Sequence, residues 1–395
     1  MPRTLHMIVF IGVFAVLLAA SHFYLFSRIS SYLQLTSGQR RFTAMLLGVL
    51  ALLTLIALPL SRALSRDAAT VLDWVVFPWM GFALLMTVVM LTTDAVWALL
   101  KLAPPSPMHD PERRLLIQRA FGLTALSATA VLGGASLWNG MRPVSVKPLT
   151  VTLDRLPQSL DGLRIVQITD LHIGPMIGGD WLRQVVDKVN ALKPDIIAIT
   201  GDVVDGSVEE LSRHTAPLAD LTAPHGVYFI TGNHEYYSGV EEWCAHFTTL
   251  GLRVLRNERV SITAGAQQDS FDLAGVDDWA SHAFPGQGAD LPKALAGRNA
   301  DKALILLAHQ PAAIHEAAEH GVDLQLSGHT HGGQIWPFTY LVYLQQPYVA
   351  GLHRHRDTAT QIYVSPGTGF WGPPMRLGTV AEITHITLRS SQKQS

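Results

Sequence analysis

The sequence predicts a chain in two parts, an all-α membrane region of four helices followed by an α/β domain. The excess of apolar residues in this 395-residue chain lies before residue 140, in runs of about twenty residues. After residue 145, short β-branched runs alternate with helical patterns, which is typical of a sheet with crossover helices. We therefore place the membrane region at residues 1–140 and the second domain at residues 145–392.

Four apolar runs mark the predicted membrane helices. Each has about the length needed to cross a bilayer core of roughly 30 Å, and tryptophans lie near the run ends, as in an interfacial aromatic belt. Buried helices of a soluble bundle would explain one such run better than four in succession. No ionisable residue lies deep in these runs except Asp94, which is near one end of its span, so we interpret the region as an anchor and not a transport path. The runs are residues 7–26, 42–60, 74–93 and 116–138.

Charge flanking these runs predicts the side of the membrane that holds the second domain. Four spans place the N-terminus and everything after Trp138 on one side, but the Lys and Arg counts, seven and six, hardly separate the two sides. Arg113 and Arg114 precede an apolar run rich in small residues, which resembles a twin-arginine export signal. Two arginines that merely anchor a helix on the cytoplasmic face would give the same orientation. We therefore predict a multi-pass protein of the cell (inner) membrane, with the second domain on the periplasmic or extracellular side.

Composition argues against several other classes of protein. Charged residues make up 15% of the chain, below the roughly 25% of average soluble proteins. The formal net charge is −2 without a long basic block, so no nucleic-acid partner is expected. The single cysteine, Cys244, excludes an internal disulfide framework and a thiolate metal cluster.

Eight strands are predicted in the second domain. Two helical patterns, DWLRQVVDKVNALK and PAAIHEAAEHG, supply crossovers of suitable length for parallel pairing. The predicted strands are residues 163–169, 195–200, 226–231, 271–276, 303–308, 322–327, 361–365 and 382–388.

Polar motifs follow five of these strands: DLHIG, GDVVDG, GNHE, HQP and GHTHGG. In open α/β sheets, sites form beyond the carboxyl ends of the strands, so these motifs should converge. A lone histidine after a strand is more often a surface residue, and Asp-Gly usually marks a turn. Five such strand ends in one domain are hard to explain as independent accidents. The candidate metal ligands are Asp170, His172, Asp202, Asn233, His309, His329 and His331.

This set of candidate ligands predicts a dinuclear metal site. Imidazole, carboxylate and amide ligands without thiolate suit Mn, Zn or Fe. Seven ligands suit two metals with a shared carboxylate, and two metals about 3.5–4 Å apart can clamp the attacking and leaving oxygens of a phosphoryl displacement. A water between them has its pKa lowered toward about 7 and becomes a hydroxide nucleophile. We therefore expect a membrane-anchored phosphoesterase that cleaves a phosphodiester or phosphomonoester by attack of a metal-bridging hydroxide.

The five motifs, in this order, resemble the calcineurin-like metallophosphoesterase superfamily over roughly residues 160–390. GHTHGGQIWPF, GVDD and SPGTGFWGPPMRLGTVAEITHITL resemble its membrane-associated or exported bacterial branch. The resemblance implies a two-sheet α/β sandwich with two metals, bridged by Asp202. It implies that the first metal is bound by Asp170, His172 and His331, and the second by Asn233, His309 and His329.

The resemblance also implies roles for neighbours of these ligands. His234 would stabilise the transition state and protonate the leaving oxygen as a general acid. Asp205 and Glu235 would orient the ligands. Arg354 in GLHRHR and Arg376 in PPMRLG are candidate substrate contacts, since guanidinium groups match phosphate oxygens; a solvated loop explains the first equally well.

Three questions stay open at the level of sequence. The run IWPFTYLVYLQQPYVAG is either a core strand with its turn or a lip that dips into the membrane, and Trp279 is expected in the core. Placement at a bilayer favours an amphiphilic substrate. Some members of the resembled branch hydrolyse the pyrophosphate of UDP-2,3-diacylglucosamine in lipid A synthesis, but that alternative needs a cytoplasmic site, which conflicts with the predicted topology. A further alternative is a catalytically idle membrane scaffold or sensor with a retained metal site.

Overall fold

The computed structural model describes residues 3–100, 111–264 and 269–391. The predicted domain limits at residues 1 and 392 lie outside these ranges, as does Lys101, one of the cations counted for the topology. The chain divides into two compact units. One comprises Met1–Met141 with Gly372–Met375, and the other Arg142–Trp371 with Arg376–Ser395.

The first unit contains the four predicted membrane helices. Each has a stretch long and apolar enough to cross a membrane, and at most 33% of the residues in any of these stretches are buried. Most of their apolar side chains therefore face outward, as expected for helices solvated by lipid. The helices are α1 (Arg3–Leu33), α2 (Ser37–Ala63), α3 (Arg66–Leu100) and α4 (Pro111–Met141). All four exceed the predicted bounds, because polar ends continue each apolar run.

Asp94 lies within α3 and is not isolated. Its carboxylate accepts hydrogen bonds from the hydroxyls of Tyr24 at 2.7 Å and Tyr32 at 2.5 Å, and pairs with Arg28 at 2.7 Å. These partners offset the cost of placing a carboxylate in an apolar helix. Asp73, which is also buried in α3, precedes the predicted run by one residue and was therefore not identified from the sequence.

The second unit contains two six-stranded mixed sheets, ordered β1-β12-β2-β3-β4-β5 and β10-β11-β9-β8-β7-β6. Neighbouring strands are parallel except for β12–β2, β6–β7 and β10–β11. The strands are β1 (Ser145–Leu153), β2 (Arg164–Ile168), β3 (Ile196–Ile199), β4 (Val227–Phe229), β5 (Arg253–Val254), β6 (Glu258–Ala264), β7 (Asp269–Gly275), β8 (Leu304–Leu307), β9 (Leu324–Ser327), β10 (Gly351–Arg354), β11 (Gln361–Val364) and β12 (Glu382–Ser390).

Short helices connect the strands of this unit. The α-helices are α5 (Gly179–Ala191), α6 (Val208–Thr215), α7 (Asn233–Ser238), α8 (Val240–Thr249), α9 (Leu291–Leu295), α10 (Ile314–Glu319) and α11 (Thr339–Val342). The 3-10 helices are Gln158–Leu160, Ala216–Asp220, Trp279–Ala283, Pro311–Ala313 and His331–Gly333.

The alternation of side chains along each strand builds three apolar layers. In β2, Ile165 belongs to the central layer, which holds side chains from both sheets, while Val166 faces the helices that cover the first sheet. In β8, Ile305 likewise joins the central layer and Leu306 the layer beneath α9 and α10. A strand that buries both faces has an unbroken run of apolar residues, and such a run is easily recognised in the sequence. The predicted two-sheet α/β fold is confirmed.

All eight predicted strands are present, and the structure contains four further strands that the sequence did not predict. β1 and β10 are edge strands with few buried residues, and β5 has two residues. Strands without a continuous buried run give a weak pattern. The core-strand interpretation of residues 335–351 is wrong, because the segment contains α11 and exposes much of its apolar surface. Trp279 is also not in the core, since it is 42% exposed.

Candidate metal centre

The carboxyl ends of β2, β3 and β4 in the first sheet and of β8 and β9 in the second carry the five polar motifs. Ten non-glycine residues in the described chain have positive φ, and half of them belong to this site. Each such residue costs of order 1–3 kcal/mol, which the surrounding structure must offset. This conformation turns the backbone sharply where each strand ends. The five, with φ between 49° and 70°, are Asp170, His172, Asp202, His329 and His331.

One cluster of potential ligands comprises Asp170, His172 and His331. Their ligand atoms lie within 4.8 Å of one another, and all three side chains are buried. The Nε2 atoms of His172 and His331 are 3.1 Å apart, and His331 Nε2 is 3.4 Å from Asp170 Oδ1. The structure therefore brings together the three residues assigned to the first metal.

A second cluster comprises Asp202, His309 and His329, whose ligand atoms also lie within 4.8 Å of one another. His309 Nδ1 lies 2.7 Å from the carbonyl oxygen of Thr200, which accepts a hydrogen bond from it, so Nε2 is the ring nitrogen that faces the cluster. That Nε2 is 3.1 Å from Asp202 Oδ2, which is itself 3.9 Å from His172 Nε2. Asp202 thus faces both clusters, as a bridging carboxylate would.

Unpaired polar atoms indicate that these residues fit divalent cations. Asn233 Oδ1 and His309 Nε2 are buried without a hydrogen-bond partner among the described residues. Leaving a buried polar atom unsatisfied costs about 1–3 kcal/mol. Because imidazole nitrogens and an amide oxygen can all ligate a divalent metal, binding of such ions would remove this cost.

Two glycines allow the backbone to approach the carboxylates. A Cβ atom at Gly328 would lie 2.2 Å from Asp170 Oδ2, and one at Gly232 would lie 2.2 Å from Asp202 Oδ1. Any other residue would displace these oxygens. The close approach also lets the backbone N–H of His329 donate to Asp170 Oδ1 at 2.9 Å. The glycines of GHTHGG and GNHE therefore fix the ligand positions.

Asp205 orients two imidazoles at once. Its Oδ2 lies 3.1 Å from His172 Nδ1 and its Oδ1 lies 2.5 Å from His234 Nδ1. The Nε2 atoms of both rings are thereby directed to Asp202 Oδ2, at 3.9 and 4.0 Å. Burial raises the pKa of Asp205, but His172 and His234 outweigh it and lower the pKa below its ordinary value. Asp205 therefore remains an anionic acceptor for both rings.

His234 is arranged to carry a proton. Burial lowers the pKa of His234, but Asp202 and Asp205 outweigh burial and raise it to about 9. Its Nδ1 is committed to Asp205, so the proton available for transfer is the one on Nε2, which points into the centre. This is the geometry of a general acid.

Glu235 links two of the loops that carry candidate ligands, because its carboxylate accepts hydrogen bonds from the backbone of both. Its Oε2 accepts from the backbone N–H groups of Gly232 at 2.7 Å and Asp202 at 3.0 Å, and its Oε1 accepts from Val203 at 2.7 Å. Burial and Asp202 raise the pKa of Glu235 to about 8, while N–H donors stabilise its ionised form. Glu235 therefore fixes the backbone that carries Asp202.

The two histidines of GHTHGG are held neutral. Burial, followed by the charge of His309, lowers the pKa of His329 to about 3. Burial, followed by His172 and Arg376, lowers the pKa of His331 well below its ordinary value. Neutral imidazoles offer a lone pair, which is the form that binds metals.

The structure does not place the two candidate substrate arginines as expected. Arg354 lies exposed on the edge strand β10, and no contact with a ligand residue is recorded in the described chain. Arg376 is completely buried, and its Nη2 donates to the carbonyl oxygens of Pro366 at 2.8 Å and Gly369 at 2.6 Å. The expectation that Arg376 contacts substrate is wrong, because its guanidinium group is enclosed by a backbone loop that it holds in place.

We expect Arg376→Met to destabilise the second unit by roughly 2–4 kcal/mol, because the buried carbonyls lose their charged donor. Denaturant unfolding of the full chain in detergent, followed by tryptophan fluorescence, measures the change. Arg389→Met is the matched control, since Arg389 pairs with Asp161 at the surface and exposed pairs contribute little. Equal stability of the two variants would contradict a structural role for Arg376.

Two aromatic residues at the site escaped the sequence analysis. The ring centroids of Tyr237 and Trp371 lie 5.4 and 5.7 Å from that of His234, both in edge-to-face geometry, and both side chains are about half exposed. Tyr237 follows His234 by one helical turn in GNHEYY, so spacing could have identified it. Trp371 is distant in sequence and carried no such signal.

The family model and the relatives that this chain resembles indicate the same family. The model of the calcineurin-like phosphoesterase family matches residues 163–333. A transmembrane protein with a metallophosphoesterase domain from Bos taurus is 43% identical over 71% of this chain and 65% of its own length. A metallophosphoesterase of Helicobacter pylori is 40% identical over 64% of this chain and 65% of its own length. One from Bacillus subtilis is 31% identical over 72% of this chain and 100% of its own length. The chain thus spans just under two thirds of the first two relatives, and the similarity extends beyond bacteria.

Proposed function

This chain belongs to the calcineurin-like phosphoesterase family, and from that premise we propose that it is a membrane-anchored phosphoesterase that uses two divalent metals, Mn, Zn or Fe. The arrangement of the ligands around Asp202 is the observation that carries the proposal. Two groups of potential ligands meet at this carboxylate, and the Nε2 of His234 lies 4.0 Å from its Oδ2. A full ligand set beside a protonated imidazole favours catalysis over an idle scaffold.

Each residue of the proposed site has its own role in hydrolysis. When bound, divalent metals supply the Lewis acidity that activates water and neutralises charge on the phosphoryl oxygens. The first metal would be held by Asp170, His172 and His331, and the second by Asn233, His309 and His329, with Asp202 shared. As the bond from phosphorus to the leaving oxygen breaks, His234 donates its Nε2 proton to that oxygen. Asp205 holds the ring and stabilises its positive charge.

Hydrolysis of bis-p-nitrophenyl phosphate and p-nitrophenyl phosphate by the full chain in detergent tests this function. We expect turnover with Mn or Zn and its loss with chelator, restored when metal is added back. Preference for the diester directs the substrate search to lipid and nucleotide diesters, and preference for the monoester to phosphatase substrates. No turnover of either ester by protein that binds two metals would count against catalysis.

The location of the active site is a second part of the proposal. We place the catalytic domain on the periplasmic or extracellular side, on the basis of the four candidate spans and of Arg113–Arg114 before the last one. A reporter fused after Ser395 is expected to report export. A cytoplasmic signal would reverse the orientation and would favour substrates made on the inner face, including the lipid A precursor.

A further inference from the structure

A short segment of the second unit exposes a dense group of apolar side chains. Six large apolar residues among the nine positions 336–344 are between 46% and 80% exposed. No Asp, Glu, Lys or Arg occurs between His331 and His353. Contiguous exposed apolar surface of this kind usually marks an interaction site. The six residues are Trp336, Phe338, Tyr340, Leu341, Tyr343 and Leu344.

The backbone of this segment is fixed, so the exposure is a property of the fold. Ile335 and Gln346, on either side of it, are buried. The backbone N–H of Trp336 donates to the carbonyl oxygen of Leu377 at 2.9 Å, and Leu377 N–H donates to Gln334 at 2.9 Å. A helical turn, α11, lies within the segment. The apolar side chains are thus held outward by a structure anchored at both ends.

The segment is continuous with the rim of the metal centre. The side chain of Gln334 donates to the carbonyl oxygen of Trp371 at 3.0 Å and accepts from its N–H at 3.1 Å. The Trp371 ring in turn contacts His234, and Tyr237 contacts the same imidazole. Aromatic side chains therefore extend from the proposed general acid to the exposed segment.

The features of the chain single out a lipid bilayer as the occupant of this surface. The chain carries four candidate membrane spans, and three residues, 142–144, connect α4 to β1. The second unit is therefore tethered to the last candidate span by a short linker. The segment contains Trp, Tyr, Phe and Leu and has no charged residue. This composition partitions into the interfacial layer of a bilayer. A protein partner of this covalently tethered domain would have to compete with the membrane for the same side chains.

We propose that residues 336–344 form a membrane-contact segment that inserts into the interfacial layer and delivers an amphiphilic phosphoester from that layer to the metal centre. The delivery rests on the proposed phosphoesterase function, whereas the membrane contact is independent of it. The substrate class is a phosphoester with acyl chains, whose chains remain in the bilayer beside the segment. Its phosphate enters past Trp371.

Depth-dependent quenching tests the contact directly. The one cysteine of the chain, Cys244, is buried, so Leu344→Cys provides a unique accessible thiol for a polarity-sensitive fluorophore. Asp301→Cys, at an exposed polar position, is the matched control. In proteoliposomes of the full chain, nitroxide-labelled acyl chains should quench the label at 344 strongly and the label at 301 hardly at all. Equal access of both labels to aqueous iodide, without nitroxide quenching at 344, would overturn the proposal and assign the surface to a protein partner.

A second experiment separates delivery from catalysis. We expect Leu344→Glu to reduce hydrolysis of a diacyl phosphodiester in vesicles by about tenfold, because a charge opposes insertion at the interface. Turnover of soluble bis-p-nitrophenyl phosphate by the same proteoliposomes should be unchanged, and Leu344→Met should match the parent on both substrates. Equal rates of the Leu344→Glu variant and the parent on the vesicle substrate would overturn delivery. Absence of turnover of the vesicle substrate and of both soluble p-nitrophenyl esters in the parent would reject the phosphoesterase function and leave the quenching result valid.

Discussion

Asp202→Asn is expected to abolish turnover, with a loss on the order of 10³-fold or more, and to lower the metal content of the purified protein. Asp202 Oδ2 lies 3.1 Å from His309 Nε2 and 3.9 Å from His172 Nε2, so it faces both ligand clusters. The amide keeps the size of the side chain, and its oxygen can still accept from the backbone N–H of His234, which donates to Asp202 Oδ1 at 2.9 Å in the parent protein. The substitution removes only the negative charge that two cations would share.

Elemental analysis and turnover of bis-p-nitrophenyl phosphate, measured on the same preparation, check this expectation. Asp301→Asn is the control, because it removes the same charge at an exposed position before β8. It should leave both quantities unchanged. Normal turnover of the Asp202→Asn variant would contradict the assignment of Asp202 as the shared ligand.

His234→Ala is expected to lose about 10²–10⁴-fold in turnover while it retains its metals, as the loss of a general acid should. The His234 Nδ1 is bound to Asp205, and its raised pKa, about 9, keeps the ring protonated at neutral pH. The loss should be smaller for an ester with p-nitrophenolate as leaving group than for an alkyl ester. A leaving group that is stable as an anion needs less protonation.

Comparison of the two esters, together with the metal content, distinguishes a proton donor from a ligand. His320→Ala, at an exposed position after α10, should behave as the parent protein. A fall in metal content of the His234→Ala variant would identify His234 as a metal ligand. An equal loss for both esters would exclude a role in protonating the leaving oxygen.

The candidate ligands could be predicted from the sequence because each follows a buried strand. Residues such as Asp170 and His309 come within three positions of strands that read as continuous apolar runs. The carboxyl ends of neighbouring parallel strands share one edge of a sheet, so polar residues at these ends must lie together. The positions of Asp205 and Glu235 near this edge followed from the same argument, but their partners did not. That Asp205 contacts two imidazoles depends on ring orientations that no strand pattern contains.

The sequence by itself determined the four apolar helices, the buried strands and the candidate ligand residues, because local periodicity and chain order encode these features. Only the tertiary structure decided how the remaining residues are used. Arg376 is buried and Trp279 is exposed, contrary to expectation, since burial depends on packing between segments distant in sequence. The run after GHTHGG exposes its aromatic side chains, and Gln334 at its start pairs with Trp371, which is 37 residues away in the sequence. Such contacts form only when the sheets bring distant loops to the same edge, and for that reason the sequence left open whether this run lies in the core or forms an exposed lip.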